Sequence, residues 1–391
     1  MKTIEREARR DGVDYPIRGW CDERFVKVVD AFAANFSEDE DTGACCAVWH
    51  RGEPVADLWG GFADVAGNRP WQEDTIVNMM SCGKGLAAFC LHQLVDQRRV
   101  DLDAPVFTYW PEFAQNGKEG VLVRHVLDHR AGLPVLTAPL PPTAIFDWKA
   151  IISALEQQAL LFPAGGTPAY HIRTLGFLIG EIVLRVSGQS IDKYLQEHVC
   201  KPLGMDFYIS TPQSAYPRIA EFVPSRKNTV LDTATLDPDS LLAKAAAQQP
   251  KDLDYNSDIW RSSVIPSSNG HGNARAIAKF YALVAGGGEL DGVRLISTGA
   301  IDRALQEQHN EVEVIMKRQY HQALGFILNS PPVVPMGPNP RAFGHHGAGG
   351  SIGMGDRENA MAIAYAPARM HSRMDNGPRA RRVIDAAFAS L

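Results

Sequence analysis

The chain has 391 residues, of which 45% are hydrophobic and 21% are charged, and its formal net charge is −6. This apolar content supplies enough material for a folded core, so the composition excludes a mainly disordered chain. The acidic balance argues against a nucleic-acid partner, and no apolar run approaches the roughly 18 residues that would predict a membrane span.

The first ten residues are rich in charge and lack the apolar stretch of a signal peptide, which predicts a cytoplasmic protein. The cysteines are too few for a disulfide scaffold in a chain of this size, and their spacing matches no zinc site. We therefore expect no metal, no other cofactor and six reduced thiols, which are Cys21, Cys45, Cys46, Cys82, Cys90 and Cys200. Cys82 is interpreted as a small packed side chain rather than a reactive thiol.

The N-terminal part of the chain predicts one helix followed by a β-hairpin. Apolar residues recur at helical spacing over residues 24–36. Residues 45–50 and 54–59 have strand character, with a natural turn between them at residues 51–53. A long helix is then expected over residues 85–97.

The middle of the chain predicts mainly helices joined by loops. Further helices are expected at residues 123–127, 175–186, about 190–199 and 274–285. Ser190 would cap the third of these helices. Residues 207–270 show no clear period, which predicts long surface loops.

Strand character returns toward the C-terminus. Strands are expected at residues 324–329, 342–346 and 360–365, and a closing helix at residues 376–391.

Sheet material at both ends of the chain, with helices between, predicts an α/β domain interrupted by an all-α domain. The discontinuous α/β domain would comprise residues 1–80 and 286–391. Residues 81–285 would form a mainly helical domain with long loops, and the active site would lie at the interface of the two.

Ser81-x-x-Lys84 is the first candidate for chemistry. The motif precedes the helix predicted from residue 85, so both side chains would face the same space at a helix start. A serine hydroxyl is a weak nucleophile until a base or a nearby positive charge assists removal of its proton, and Lys84 offers either. Ser190-x-x-Lys193 repeats the pattern, but there an N-cap explains the serine more simply.

Two further segments carry candidate groups. Tyr170 follows a loop rich in proline and glycine, and nearby cations would lower its pKa from about 10 toward that of a useful base, although a packing role is the simpler interpretation. Residues 343–351 form a glycine-rich strand end, where a backbone N–H could face a developing oxyanion. The adjacent His345 and His346 would point to opposite faces of a strand, which argues against a metal site.

Taken together, the Ser-x-x-Lys motif at Ser81, Tyr170 and the His-His-Gly motif at residues 345–347 resemble the serine β-lactamase-related family. More specifically, they resemble the family VIII carboxylesterases, relatives of class C β-lactamases and D-alanyl-D-alanine peptidases. Other stretches that support the resemblance are residues 99–106, 129–134, 180–189 and 267–275. The resemblance implies a β-lactamase/transpeptidase-like fold, an antiparallel sheet flanked by helices with a large helical insertion.

The resemblance also implies a covalent acyl-enzyme mechanism. Ser81 would attack the carbonyl carbon of the substrate. Lys84 and Tyr170 would share the role of general base, with the charge of Lys84 holding Tyr170 nearer its phenolate form.

The glycine-rich strand end would complete the site. By resemblance, the backbone N–H groups of Ser81 and Ala348 would form the oxyanion hole. His345, His346 and Gly347 would support substrate binding, and His345 would hydrogen-bond Tyr170 or the substrate.

Three positions depart from the lactamase pattern. Ile172 replaces an asparagine and His345 replaces a lysine, so an amide-binding group and a permanent cation for a substrate carboxylate are both missing. These two changes predict small, neutral esters as substrates. Gly83 replaces a common threonine or serine, with no clear consequence.

The predicted function is therefore a serine carboxylic ester hydrolase with a small-molecule substrate. Acyl transfer to an alcohol would use the same acyl-enzyme, and β-lactamase or D-amino-acid peptidase activity is a second alternative. A catalytically silent binding module is a third, against which the joint presence of Ser81, Lys84, Tyr170 and Gly347 argues. The sequence predicts neither the physiological ester nor the oligomeric state.

Overall fold

The computed structural model describes residues 1–225, 236–372 and 375–391. Its described strands are β1 (Lys2–Arg10), β2 (Val13–Cys21), β3 (Gly43–His50), β4 (Glu53–Gly61), β5 (Val77–Asn78), β6 (Phe207–Tyr208), β7 (His271–Gly272), β8 (Glu289–Leu290), β9 (Val293–Arg294), β10 (His309–Glu313), β11 (Arg318–Gln322), β12 (Ile327–Leu328), β13 (Phe343–His346), β14 (Ile352–Asp356) and β15 (Met361–Pro367). Ten of them form one antiparallel sheet in the order β1-β2-β4-β3-β15-β14-β13-β12-β11-β10.

The described helices come from the N-terminus, the middle and the C-terminus of the chain. They are α1 (Val26–Ser37), α2 (Gly83–Asp96), α3 (Val123–Leu127), α4 (Trp148–Gln157), α5 (Thr174–Ser187), α6 (Ile191–Leu195), α7 (Lys201–Leu203), α8 (Leu241–Ala246), α9 (Asp258–Ser262), α10 (Ala274–Ala285), α11 (Thr298–Ala304) and α12 (Gly377–Phe388). The structure thus confirms the predicted helices at residues 24–36, 85–97, 123–127, 175–186, 274–285 and 376–391 to within a few residues. Helices α1, α2, α10 and α12 pack on the large sheet.

The central strand β3 is buried on both faces. Its residues Cys46 and Val48 pack in a core with α1 and α12, whereas Cys45 and Ala47 pack in a second core with α2 and α10. Successive side chains of a strand point to opposite faces, so a strand covered on both sides has a continuous apolar sequence. The predicted architecture of a sheet flanked by helices is therefore confirmed.

The N-terminal hairpin β1-β2 was not predicted, and neither were β10, β11 and β14. Within β1 only Ile4 and Ala8 are buried, while most of its other side chains are exposed and many of them are charged. An edge strand of this kind lacks the apolar alternation by which strands are predicted.

The segment that begins at Ser190 also differs from its prediction. Helix α6 gives way to a π-helical turn, Gln196–Cys200, before α7. Ser190 occupies the N-cap position, as predicted, but its side chain makes no capping hydrogen bond.

The region predicted as loops contains three short elements, β6, α8 and α9, and β7 follows directly after it. Residues 226–235, which were part of that prediction, lie outside the described residues. Elsewhere the predicted strand at residues 324–329 is reduced to β12, and the other two C-terminal strands are β13 and β15.

The strands of the large sheet come only from residues 2–61 and 309–367. Helix α10 packs on the sheet against β3, β14 and β15, although it lies within the segment assigned to the helical domain. The predicted domain limits at residues 80 and 286 therefore stay a prediction. Within the described residues, no helix combines the length and hydropathy that a membrane crossing requires.

Candidate active site

Ser81 lies in a tight turn between β5 and α2. The preceding residue, Met80, has a φ of +48°, a left-handed conformation that is strained for a residue with a side chain. The side-chain oxygen of Asn78 stabilises it by accepting a hydrogen bond of 3.1 Å from the Met80 N–H. This turn leaves Ser81 half-buried, while the residues on both sides of it are buried.

Lys84 lies one helical turn after Ser81 and is completely buried. Its Nζ is 2.9 Å from Ser81 Oγ, and it donates to the carbonyl oxygens of Ile172 at 2.8 Å and Ser267 at 3.0 Å. Burial, and to a smaller extent the guanidinium of Arg173, lowers the pKa of Lys84 well below its usual value of 10.5. The structure therefore favours a neutral amine.

Tyr170 meets the pair formed by Ser81 and Lys84 from the opposite side. It is 6% exposed, its hydroxyl interacts with that of Ser81, and Lys84 Nζ is 5.1 Å from the centre of its ring. The carboxylate of Glu313 holds the segment by accepting a hydrogen bond of 2.9 Å from the Tyr170 N–H. The structure thus brings the three predicted residues together.

The charge states differ from those expected. Burial raises the pKa of Tyr170 above its usual range, and the interaction with Ser81 offsets only part of this shift. The expectation that the charge of Lys84 would hold Tyr170 near its phenolate form is therefore not met, because a low dielectric favours the neutral forms of both groups.

The glycine-rich strand end lies against the turn that carries Ser81. A side chain at Gly347 would come within 2.4 Å of the Met79 carbonyl oxygen, and Ser351 Oγ donates to that oxygen at 2.8 Å. The next residue, Ala348, is 9% exposed, and its N–H has no hydrogen-bond acceptor among the described residues. This N–H is available, and its role in an oxyanion hole with the Ser81 N–H stays a prediction.

His345 and His346 are both buried at the end of β13. His345 Nδ1 donates to the His346 carbonyl oxygen at 2.8 Å, and its ring stacks on that of Tyr170 with centres 6.4 Å apart. Of its two predicted partners, Tyr170 is thus in ring contact with it, and a hydrogen bond to the substrate stays a prediction. Neither ring nitrogen of His346 has a partner among the described residues. Burial lowers the pKa of both rings, that of His346 to about 4. No group of three described His, Cys, Asp or Glu side chains could hold a metal ion.

His171, which separates Tyr170 from Ile172, and Gly83, one of the departures from the lactamase pattern, both have structural roles. His171 Nδ1 donates to the Ala169 carbonyl oxygen at 2.6 Å, and Nε2 accepts a hydrogen bond of 3.2 Å from the Leu133 N–H, so this histidine joins two loops. Gly83 is required because a Cβ there would lie 2.7 Å from the Pro266 carbonyl oxygen.

His129 is a residue of the site that the sequence prediction missed. It has a φ of +63°, and its Nδ1 accepts a hydrogen bond of 3.0 Å from the His171 N–H. Its ring centre is 4.9 Å from that of Tyr170. The stretch at residues 129–134 supported the family resemblance, but nothing in it indicated contact with Tyr170. Arg173 and Ser267 were missed for the same reason.

Comparisons with known proteins agree with this arrangement. Residues 30–388 match the family model described as Beta-lactamase. The chain is 33% identical over 379 residues to the Esterase/beta-lactamase LipL of Mycobacterium tuberculosis, which covers 93% of this chain and 86% of that protein. A crystal structure of a family VIII carboxylesterase is 37% identical, with a TM-score of 0.89 and coverage of 96% of this chain and 100% of that chain.

A penicillin-binding protein homolog from Caulobacter crescentus is similar to the same extent. It is 35% identical, its TM-score is 0.88, and the match covers 96% of this chain and 100% of that chain. These likenesses confirm the predicted β-lactamase/transpeptidase-like fold.

Proposed function

Because this chain belongs to the beta-lactamase family and is a serine hydrolase, we propose that it hydrolyses small carboxylic esters through a covalent acyl-enzyme on Ser81. The observation that carries the proposal is the distance of 2.9 Å between Ser81 Oγ and the buried Nζ of Lys84. The relative described as an esterase and the similar carboxylesterase structure support ester cleavage.

In acylation, Lys84 acts as the base. A neutral amine has two N–H groups and one lone pair, and the carbonyl oxygens of Ile172 and Ser267 accept both N–H groups. The lone pair then faces the Ser81 hydroxyl. Ser81 Oγ bonds to the ester carbonyl carbon as its proton passes to Lys84 Nζ.

Tyr170 completes the cycle as a proton donor. Since burial keeps it a phenol, it can give its hydroxyl proton to the leaving alcohol when the C–O bond of the tetrahedral intermediate breaks, and the Lys84 ammonium restores that proton. Water then attacks the acyl-enzyme and releases the acid. Backbone N–H groups of Ser81 and Ala348 would stabilise the oxyanion in both steps, and one such donor is worth ~10²–10³ in turnover.

The proposal favours esters over β-lactams and peptides. Ile172 gives its carbonyl oxygen to Lys84 and packs its side chain beside Tyr170 in an apolar cluster, so it has no group for a substrate amide. Transfer of the acyl group to an alcohol would follow from the same intermediate. Product analysis with added methanol would separate transfer from hydrolysis.

Labelling with a fluorophosphonate tests the proposal, because the chain contains a matched control. Ser81→Ala should abolish both labelling and hydrolysis of 4-nitrophenyl butyrate, whereas Ser190→Ala, in the second Ser-x-x-Lys match, should leave both unchanged. Mass spectrometry of the labelled peptide gives the modified residue. A folded protein labelled elsewhere, or hydrolysis that survives in Ser81→Ala, would refute the proposed nucleophile.

A further inference from the structure

We propose that Arg173 forms a binding site for a carboxylate carried by the ester substrate. This inference rests on the proposed function and adds to it the substrate class. Arg173 is only 6% exposed, and its described partners are two neutral groups, the side chains of Gln249 and Ser268. Its Nε is buried and has no hydrogen-bond partner among the described residues.

A buried guanidinium without a carboxylate partner is unfavourable, because it has lost its hydration and gained no opposite charge. Another deeply buried arginine shows the usual solution, since Arg379 forms an ion pair with Asp41. No such acidic partner faces Arg173 within the described parts of the chain. A substrate carboxylate would supply the missing charge.

Arg173 lies beside the residues that surround Lys84, the neighbour of Ser81. It directly follows Ile172, and its contact Ser268 directly follows Ser267, so it adjoins both residues whose carbonyl oxygens hold Lys84. It is also the N-cap residue of α5, a helix of 14 residues. The partial positive charge of that helix end favours an anion at the same place.

The planar arrangement of the guanidinium N–H groups favours a carboxylate as the ligand. Arginine binds carboxylates through two parallel N–H···O bonds, and the unpartnered Nε is one of the donors that such a fork uses. The sequence prediction of neutral esters relied on Ile172 and on the absence of a cation at His345. Arg173 is a cation on a different segment, and the carboxylate site proposed here would extend the substrates to charged esters.

Two matched pairs of esters test this site. The first pair, 4-nitrophenyl hydrogen adipate and 4-nitrophenyl hexanoate, differs by a carboxylate on the acyl side. The second, 4-butanoyloxybenzoate and its methyl ester, differs by a carboxylate on the alcohol side. For each pair, the measured quantity is kcat/KM for the charged ester divided by kcat/KM for the neutral ester. We expect Arg173→Gln to lower this ratio at least tenfold in one of the pairs. Arg173→Lys, which keeps the charge but not the fork, should fall between.

An influence of Arg173 on Lys84 would change the rates of both esters of a pair by the same factor, because both use the same lysine. Such an influence leaves the ratio unchanged, whereas loss of a carboxylate site lowers it. If Arg173→Gln is folded and changes all four rates by the same factor, the carboxylate site is refuted, and Arg173 acts only through Lys84. If neither neutral ester is hydrolysed by the wild type, the proposed function fails instead.

A binding measurement keeps the site testable in that case. Adipate titrated into the wild-type protein in a calorimeter should bind at least tenfold more tightly than it binds to Arg173→Gln. Equal affinities in two folded proteins would refute the site, whatever the hydrolytic activity.

Discussion

Two buried groups at the site, Lys84 and Tyr170, are both shifted toward their uncharged forms. A neutral amine beside a neutral phenol divides the proton transfers between them, because the amine can only accept a proton and the phenol can only donate one. This division makes the phenol hydroxyl, rather than a phenolate, the group that Tyr170 contributes.

Tyr170→Phe removes this hydroxyl while keeping the ring against His129 and His345. We expect kcat for 4-nitrophenyl butyrate to fall by about a hundredfold, the usual size of a general acid–base contribution. The loss should be smaller for 4-nitrophenyl esters than for ethyl butyrate, since an alkoxide leaving group needs the proton more. Equal losses for the two esters would contradict a proton-donor role.

The pH dependence follows from the sign of the shift at Lys84. Activity needs the neutral amine, so kcat/KM should rise with pH to a plateau. The midpoint of this rise should lie well below pH 10.5, the usual pKa of a lysine. Since the charge of Arg173 contributes to the lowered pKa, Arg173→Gln should move that midpoint to higher pH. A pH-rate profile on a neutral ester measures both, and an unmoved midpoint would remove Arg173 from the electrostatics of the base.

The candidate site shows what single-residue patterns can predict. Ser81, Lys84 and Tyr170 were found because their side-chain chemistry and order along the chain suffice to suggest nucleophilic catalysis. Their protonation could not be predicted, because it depends on burial by segments far away in sequence. Arg173 was missed since its significance lies in having no acidic neighbour among the described residues, which only the folded structure reveals.

At the scale of elements, the contact of α10 with the sheet depends on a glycine. Gly353 in β14 pairs with His345 in β13, and a Cβ there would lie 2.2 Å from Ile277 Cγ2 and 2.4 Å from the ring of Tyr281. Helix α10 can therefore approach β14 only where the strand has no side chain.

Gly353→Ala should therefore destabilise the protein by roughly 1–3 kcal/mol, the usual cost of overpacking a core. Gly299→Ala is the matched control, since no atom lies within 4 Å of its added Cβ at the start of α11, and it should be neutral or stabilising by up to about 1 kcal/mol. Urea denaturation measures both changes. Equal stability of the two variants would show that α10 adapts at no cost.

Helices and strands could be predicted from the sequence where their burial requires a pattern of apolar residues. Helix α5 and strand β3 are buried and apolar, and both were found. Strand β1 escaped detection because its pairing with β2 gives it its form, while its exposed side chains are free to be charged. Hydrogen bonding between strands leaves no mark on the sequence of an exposed edge.

At the scale of the whole molecule, the two ends of the chain are joined by a buried ion pair. Arg379 of α12 binds Asp41, which precedes β3, and also donates to the Arg369 carbonyl oxygen at 2.7 Å. Tyr365 of β15 donates a hydrogen bond to the same aspartate. Breaking such a pair leaves a buried charge without compensation, so the closing helix is held to the sheet by more than apolar contacts.

Burial of the cysteines throughout the molecule predicts how their thiols react. All six cysteines are free and buried, and burial raises the pKa of Cys45, Cys82 and Cys200 to about 12. Only the thiolate reacts readily with disulfides, so the folded protein should consume no Ellman's reagent at pH 8, whereas in guanidinium chloride it should consume six equivalents. Cys82, next to Ser81, is the critical case. Ester hydrolysis could be lost as one thiol of the folded protein reacts. That result would show that the site opens to solvent far more than its packing indicates.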